Sequence, residues 1–267
     1  MKSKFVFHGY HPIISRLHIF DHTFGPTISG YPADSYAKWA LSLALPDAFW
    51  EMARSENDLA ETIGAIANGK NLSEKQWEVV LLAASIKIPD WAKKRLNTYA
   101  KVYRRAWKKI QPAYDEVVGR WNERLLRKPI RIYTSFEPSK GSYGGTAYPG
   151  DVFVLGVPIV GKVNVNEAMR ILIHESIHIM HHRDKALDKT LDKISKRTDL
   201  PVQEAFTETM TNLIAWRAGL QSKVFERYYN ERWEKLVRIE DKMRDAVKNW
   251  WESDENLRKR IMKTFEV

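Results

Sequence analysis

Along the 267-residue chain the spacing of apolar positions changes at a few places, and those changes outline the elements. Residues 1–32 are aromatic, rich in histidine and broken by Pro12, Gly25, Pro26, Gly30 and Pro32, which predicts an irregular or short-stranded lead-in. Helical periodicity then predicts helices over 33–45, 47–54 and 58–67, the last ending near Gly69. Ser73-Glu74-Lys75-Gln76 has the form of a capping box, in which the first and fourth residues satisfy each other's exposed amides, and it predicts a helix to about residue 86. A long basic helix is expected over 90–110, resuming after Pro112 to about residue 127, because proline has no amide to donate and its ring crowds the preceding turn.

The texture changes at Lys128-Pro129. Residues 129–136 and 151–155 are β-rich and predict strands, with a glycine-rich connection over 141–150. Asn164-Val165-Asn166-Glu167 caps an apolar helix predicted to about residue 182. Residues 184–197 alternate charge around Leu187, Leu191 and Ile194, the pattern of a solvated amphipathic helix. Leu200-Pro201 opens a helix to about residue 219, another is expected over 222–251, and a short one ends the chain. The expected fold is α+β and predominantly α-helical. A helical N-terminal domain, 1–128, precedes a domain with a small sheet and C-terminal helices, 129–267.

Composition narrows the chemistry. With no cysteine, disulfides, thiolate-held metals and thiol catalysis are excluded. The net charge of +10 raises acidic partners, nucleic acid among them. Its densest stretch is the basic helix 90–128, with Lys93, Lys94, Arg95, Lys101, Arg104, Arg105, Lys108 and Lys109 interleaved with Trp91, Tyr99, Tyr103 and Trp107. Aromatic residues at helical spacing suit a core face with the basic side chains in solvent, so nucleic-acid binding stays as a second reading. The first residues lack a signal-peptide core and no run approaches ~20 apolar residues, which leads to a cytoplasmic expectation without a membrane span. Few amides and abundant Lys, Arg and Glu fit a thermophile's usage.

One segment carries chemistry: Ile171-Leu172-Ile173-His174-Glu175-Ser176-Ile177-His178-Ile179-Met180-His181-His182. His174 and His178 are one helical turn apart, so both imidazoles leave the same face and can share a Zn²⁺ ion. Glu175 is rotated by about 100° from His174, beside the metal without ligating it, where it can take a proton from the attacking water. Chance gives His-Glu-x-x-His only about 0.02 times in a chain of this composition. The competing reading is a pair of hydrogen-bonded core histidines. A third histidine six positions after His178 is excluded, since residue 184 is Asp, and His181 lies about 10 Å along the axis from His174, able to pair with one partner only.

A carboxylate from another helix must then complete the set. Glu204 and Glu208 share one face of the segment Pro201–Asn212, among Val202, Ala205 and Phe206. Two carboxylates facing a core call for a cation, with Glu204 as ligand and Glu208 orienting an imidazole through its other nitrogen. The plainer alternative is a partly exposed pair of acids.

At this point the chain resembles the gluzincin metallopeptidases, in which a His-Glu-x-x-His helix is paired with a downstream Glu helix. Glu204-Ala-Phe-Thr-Glu208 echoes both the thermolysin-type pattern Asn-Glu-Ala-x-Ser-Asp and the aminopeptidase-type pattern Asn-Glu-Gly-Phe-Ala, departing at Gln203, where Asn is more usual. The resemblance covers roughly residues 129–220 and implies a zincin-like domain, bound Zn²⁺ and hydrolysis of peptide or protein substrates. It implies that His174, His178 and Glu204 ligate, that Glu208 orients, and that Glu175 is the general base. It further implies an edge strand that holds extended substrate, for which Gly144, Gly145, Thr146 and Ala147 are the candidates, a flexible hairpin loop being the alternative. An oxyanion stabiliser is expected beyond the Glu helix, at Tyr228 or Tyr229, although Tyr229 also falls on a core stripe. His181 and His182 are outside candidates. His8, His11, His18 and His22 suggest either a second metal site or aromatic packing. Two other functions stay open: a basic binding module with structural or inactive zinc, and a zinc hydrolase acting on something other than peptides.

Overall fold

The computed structural model describes residues 2–24, 56–85, 88–137, 144–158, 162–220 and 234–266. The helices expected over 33–45 and 47–54, and most of the stretch 222–233, lie outside the described residues. The chain is mostly helical with a small mixed sheet, an α+β arrangement. It forms two compact units, Phe5–Ala106 with Pro129–Ile171, and Met1–Lys4 with Trp107–Lys128 and Leu172–Val267. These limits differ from the division expected at residue 128. The reason is a pairing that local periodicity does not register: the first strand, near the N-terminus, joins a strand more than a hundred residues away.

The first unit is built on the sheet. Its strands are β1 (Phe5–Gly9), β2 (Ile130–Glu137), β3 (Gly145–Tyr148) and β4 (Val152–Pro158), in the order β1-β2-β4-β3. β1 and β4 both run parallel to β2, with Phe5 opposite Ile130 and Ile132 opposite Phe153, while β3 is antiparallel to β4 at the edge. β4 is buried at every position, which its nearly unbroken apolar sequence Val-Phe-Val-Leu-Gly-Val-Pro allows. On the sheet pack α1 (Ile14–Phe24), α2 (Glu56–Ala67) and α3 (Glu74–Ser85), with Ile14, Leu17, Leu59, Ile63 and Val79 meeting Tyr133, Val152 and Val154. The capping box at the start of α3 forms as expected: Ser73 N–H donates to Gln76 Oε1 at 3.0 Å, and Gln76 N–H to Ser73 Oγ at 3.3 Å.

Of the irregular or short-stranded lead-in expected over residues 1–32, the short strand is present as β1, while α1 replaces irregular chain with a helix. Pro12 precedes the first turn, where a missing amide costs nothing. The His11 ring accepts the amides of Ile13 and Ile14 at 3.2 and 3.1 Å, so residues that look like breakers serve as a cap.

α4 (Asp90–Asn122) corrects a second expectation, running unbroken through Pro112. The carbonyl deprived of its amide belongs to Lys108, which is exposed, so water can satisfy it. Burial of Ile110, Tyr114, Val117 and Val118 around the proline offsets the lost hydrogen bond. The basic side chains Lys94, Lys101, Arg104, Arg105, Lys108 and Lys109 are exposed, and Tyr103 and Trp107 are buried. Trp91 departs from that division and is exposed.

The second unit is helical. It combines the C-terminal part of α4 and a 3₁₀ turn (Glu123–Arg127) with α5 (Val165–Arg183, from Leu172 onward), α6 (Lys185–Thr198), α7 (Val202–Arg217), α8 (Glu234–Trp251) and α9 (Leu257–Thr264). α6 buries Leu187, Leu191 and Ile194 and leaves its basic side chains in solvent, as its pattern predicts, while Asp188 is largely enclosed. The junction between α5 and α6 is fixed by Asp184, whose carboxylate caps α6 at Leu187 N–H, 3.2 Å away, and accepts Trp121 Nε1–H at 3.0 Å. Trp121 in turn stands edge-on to Phe206 of α7. No described helix is long and apolar enough to cross a membrane.

Candidate metal centre

Two helices of the second unit, α5 and α7, supply the polar groups that its core encloses. α5 buries Leu172, Ile173, Ile177 and Met180, which brings the face carrying His174 and His178 against α7. α7 is buried at Val202 and at every position from Ala205 to Thr211, an environment in which an uncompensated carboxylate is costly.

His174 Nε2 and His178 Nε2 lie 3.1 Å apart. Glu204 Oε1 is 3.1 Å from the first and its Oε2 is 3.3 Å from the second. Tetrahedral zinc with bonds of about 2.0–2.1 Å separates neighbouring ligand atoms by about 3.3 Å, so these distances suit a single small cation. Behind this triangle, Glu208 Oε1 is 2.8 Å from His174 Nδ1. A proton on that nitrogen leaves Nε2 with a free lone pair, the tautomer a metal requires.

Proton counting makes the same point. With the proton of each imidazole on Nδ1, two nitrogen lone pairs and a carboxylate converge with no proton between them. Glu208 Oε2 is buried with no hydrogen-bond donor among the described residues, an oxygen that a nearby cation would compensate. The donor set therefore fits Zn²⁺, with two imidazoles and one carboxylate. Burial works against a charged His174, yet Glu204 and Glu208 hold its pKa well above the ordinary value. Burial would likewise raise Glu204, and the two imidazoles instead hold it well below the carboxylate range. The carboxylates that would balance a cation thus also favour the protonated form of His174.

The sign of the resulting pH dependence follows. A raised histidine pKa contributes stability below the unfolded value of 6.5, and that contribution is lost as pH rises through the folded value. Metal-stripped protein should therefore lose Tm on the alkaline side, whereas saturating zinc should flatten that loss by taking over the proton's position. Thermal melts of both forms between about pH 6 and pH 9 check this, and parallel curves would contradict it.

The remaining expected site residues fall as follows. Glu175 is half-buried on α5, and its charge contributes to the raised pKa of His174. Gly145, Thr146 and Ala147 lie in β3, the outer strand of the described sheet, and the Gly144 carbonyl accepts Gly156 N–H at 2.8 Å. The glycine at 145 has a packing reason of its own, since a Cβ there would come within 2.4 Å of the Phe153 ring. Tyr228 and Tyr229 lie outside the described residues. Three of the N-terminal histidines are engaged in packing. His8 stacks on Tyr133, His11 caps α1, and buried His18 pairs with the Tyr148 hydroxyl at 2.8 Å.

Two further neighbours of the site are Thr207, to which the sequence assigns no role, and His181, an outside candidate. Thr207 Oγ1 is 3.4 Å from His178 Nδ1, and His181 Nε2 is 3.2 Å from the same nitrogen. The three-residue spacing of His178 and His181 on one helix was the available signal. No protein family matches the chain, and neither a curated protein nor a solved structure matches it.

Proposed function

We propose that this protein is a zinc-dependent peptidase with a zincin-like, gluzincin-type centre. The observation that carries the reading is the convergence of His174, His178 and Glu204 on one point, with Glu208 behind His174. These three would hold the ion, and Glu175, next to a ligand in sequence but outside the ligand set, is left free for acid–base work. Zinc, when bound, supplies a Lewis acid that polarises the scissile carbonyl and lowers the pKa of a coordinated water to about 7.

The work of the chain's own residues is proton transfer and orientation. Glu175 accepts one proton from the attacking water as its oxygen bonds to the carbonyl carbon. The C–N bond then breaks, and Glu175 returns the proton to the departing amine, so that one water is consumed and the glutamate is regenerated. Glu208 keeps the proton of His174 on Nδ1 and its ring in plane. Gly144, Gly145, Thr146 and Ala147 are the segment we assign to extended substrate, because an edge strand offers backbone groups for pairing. Tyr228 and Tyr229 are our candidates for stabilising the oxyanion.

Digestion of a peptide mixture by the zinc-loaded protein, with and without chelator, tests the reading by mass spectrometry of new termini. Cleavage that stops with chelator and returns with zinc is expected. Retention of zinc without cleavage of any peptide would instead favour a structural metal or another hydrolase substrate.

A further inference from the structure

His181 is fully buried on α5, carries no part of the proposed ligand set, and is bonded at both ring nitrogens. Nε2 is 3.2 Å from His178 Nδ1, and Nδ1 is 3.1 Å from Asp188 Oδ1. Asp188 reaches this position because α6 begins just after α5 ends, capped by Asp184, and its first turn folds back over the end of α5. The same oxygen is also 3.1 Å from Nδ1 of His182, which is exposed.

The protons along this line are determined by its first member. If His178 ligates through Nε2, its Nδ1 carries a proton and must donate. His181 Nε2, the nearer acceptor, must then be bare, Thr207 Oγ1 at 3.4 Å being the more distant one. A neutral His181 with a bare Nε2 has its proton on Nδ1, and that proton faces the Asp188 carboxylate. We propose that His181 and Asp188 are positioning residues, a two-step hydrogen-bond relay that fixes the tautomer and ring plane of His178 and strengthens it as a metal donor. The relay rests on the reading of His174, His178 and Glu204 as ligands.

A second consequence concerns His181, His182 and Asp188, whose potential ligand atoms also lie within 4.8 Å of one another. With the relay formed, His181 Nδ1 is protonated and has no lone pair for a metal. A metal on Nδ1 would move the proton to Nε2, where it would point at the protonated Nδ1 of His178. The two arrangements exclude each other, so these two groups of residues hold one zinc between them.

The test is zinc affinity by chelator competition, with stoichiometry, on the full chain. His181→Phe removes the acceptor while keeping bulk and should weaken zinc binding by about 10–100-fold, the usual cost of losing an outer partner of a ligand. His181→Gln, whose amide oxygen can take the place of Nε2, should restore most of the affinity. Asp188→Asn should weaken binding by a smaller factor, and His182→Ala should change neither affinity nor stoichiometry. Melts of the metal-free variants separate a packing role, which lowers Tm without changing affinity, from the relay. If His181→Phe does not fold, Asp188→Asn carries the comparison: a loss of affinity supports the relay and unchanged affinity overturns it. Unchanged affinity in both His181→Phe and Asp188→Asn would overturn the relay. Two zinc ions in the wild type, falling to one in His182→Ala, would overturn it too. Glu204→Ala is the control for the underlying reading. If it binds zinc as the wild type does, the ligand set fails and the relay with it; if it loses zinc while His181→Phe and Asp188→Asn do not, the relay alone fails.

Discussion

Glu175→Gln should retain zinc at wild-type affinity and hydrolyse peptide about 10²–10⁴-fold more slowly, the range that a positioned general base contributes. That range corresponds to about 3–5 kcal/mol of barrier. The substitution preserves shape and removes only basicity. Glu175 is half-buried beside His174 but absent from the converging donors, so neither the ligands nor the core of α5 should be disturbed. Metal content and Tm close to wild type, measured with steady-state rates, establish that the loss is chemical. Full activity in this variant would remove Glu175 from the mechanism.

The second large effect concerns the carboxylates of α7. Glu204→Ala deletes one of the three proposed ligands and leaves two imidazoles 3.1 Å apart with no anion between them. Zinc affinity should fall by more than about a hundredfold, beyond the roughly 10–100-fold expected when only an outer partner is lost. Glu208→Gln should fall within that smaller range, because the amide can still accept from His174 Nδ1 but brings no charge. Competition titrations on both variants check the order. Equal losses would mean that the two glutamates do not differ in role, and a larger loss in Glu208→Gln would reverse our assignment.

The part of this centre that could be read from the chain is the part set by helical period. His174 with His178, and Glu204 with Glu208, are each four apart, and a period of 3.6 residues brings such pairs to one face wherever the helices go. The apolar residues around them already indicated that those faces are buried. The meeting of the two helices was an inference from charge balance, which the distances of 3.1 and 3.3 Å now supply with geometry.

What local pattern did not reveal depends on distant or compensated interactions. β1 pairs with β2 across more than a hundred residues, and nothing in Phe5–Gly9 names its partner. Pro12 and Pro112 look like breakers, yet one precedes a helix capped by His11 and the other lies inside α4, flanked by the buried Ile110, Tyr114, Val117 and Val118. His181 was recognisable as a residue with one available partner. That its second nitrogen meets Asp188 follows from the tight turn at Asp184, a tertiary feature outside any helical period.

X-ray absorption at the zinc edge of the loaded wild-type protein tests the central claim most directly. The account predicts a shell of nitrogen and oxygen donors at about 2.0–2.1 Å with the outer scattering of two imidazoles. One imidazole, three imidazoles, or a protein that does not retain zinc would contradict it.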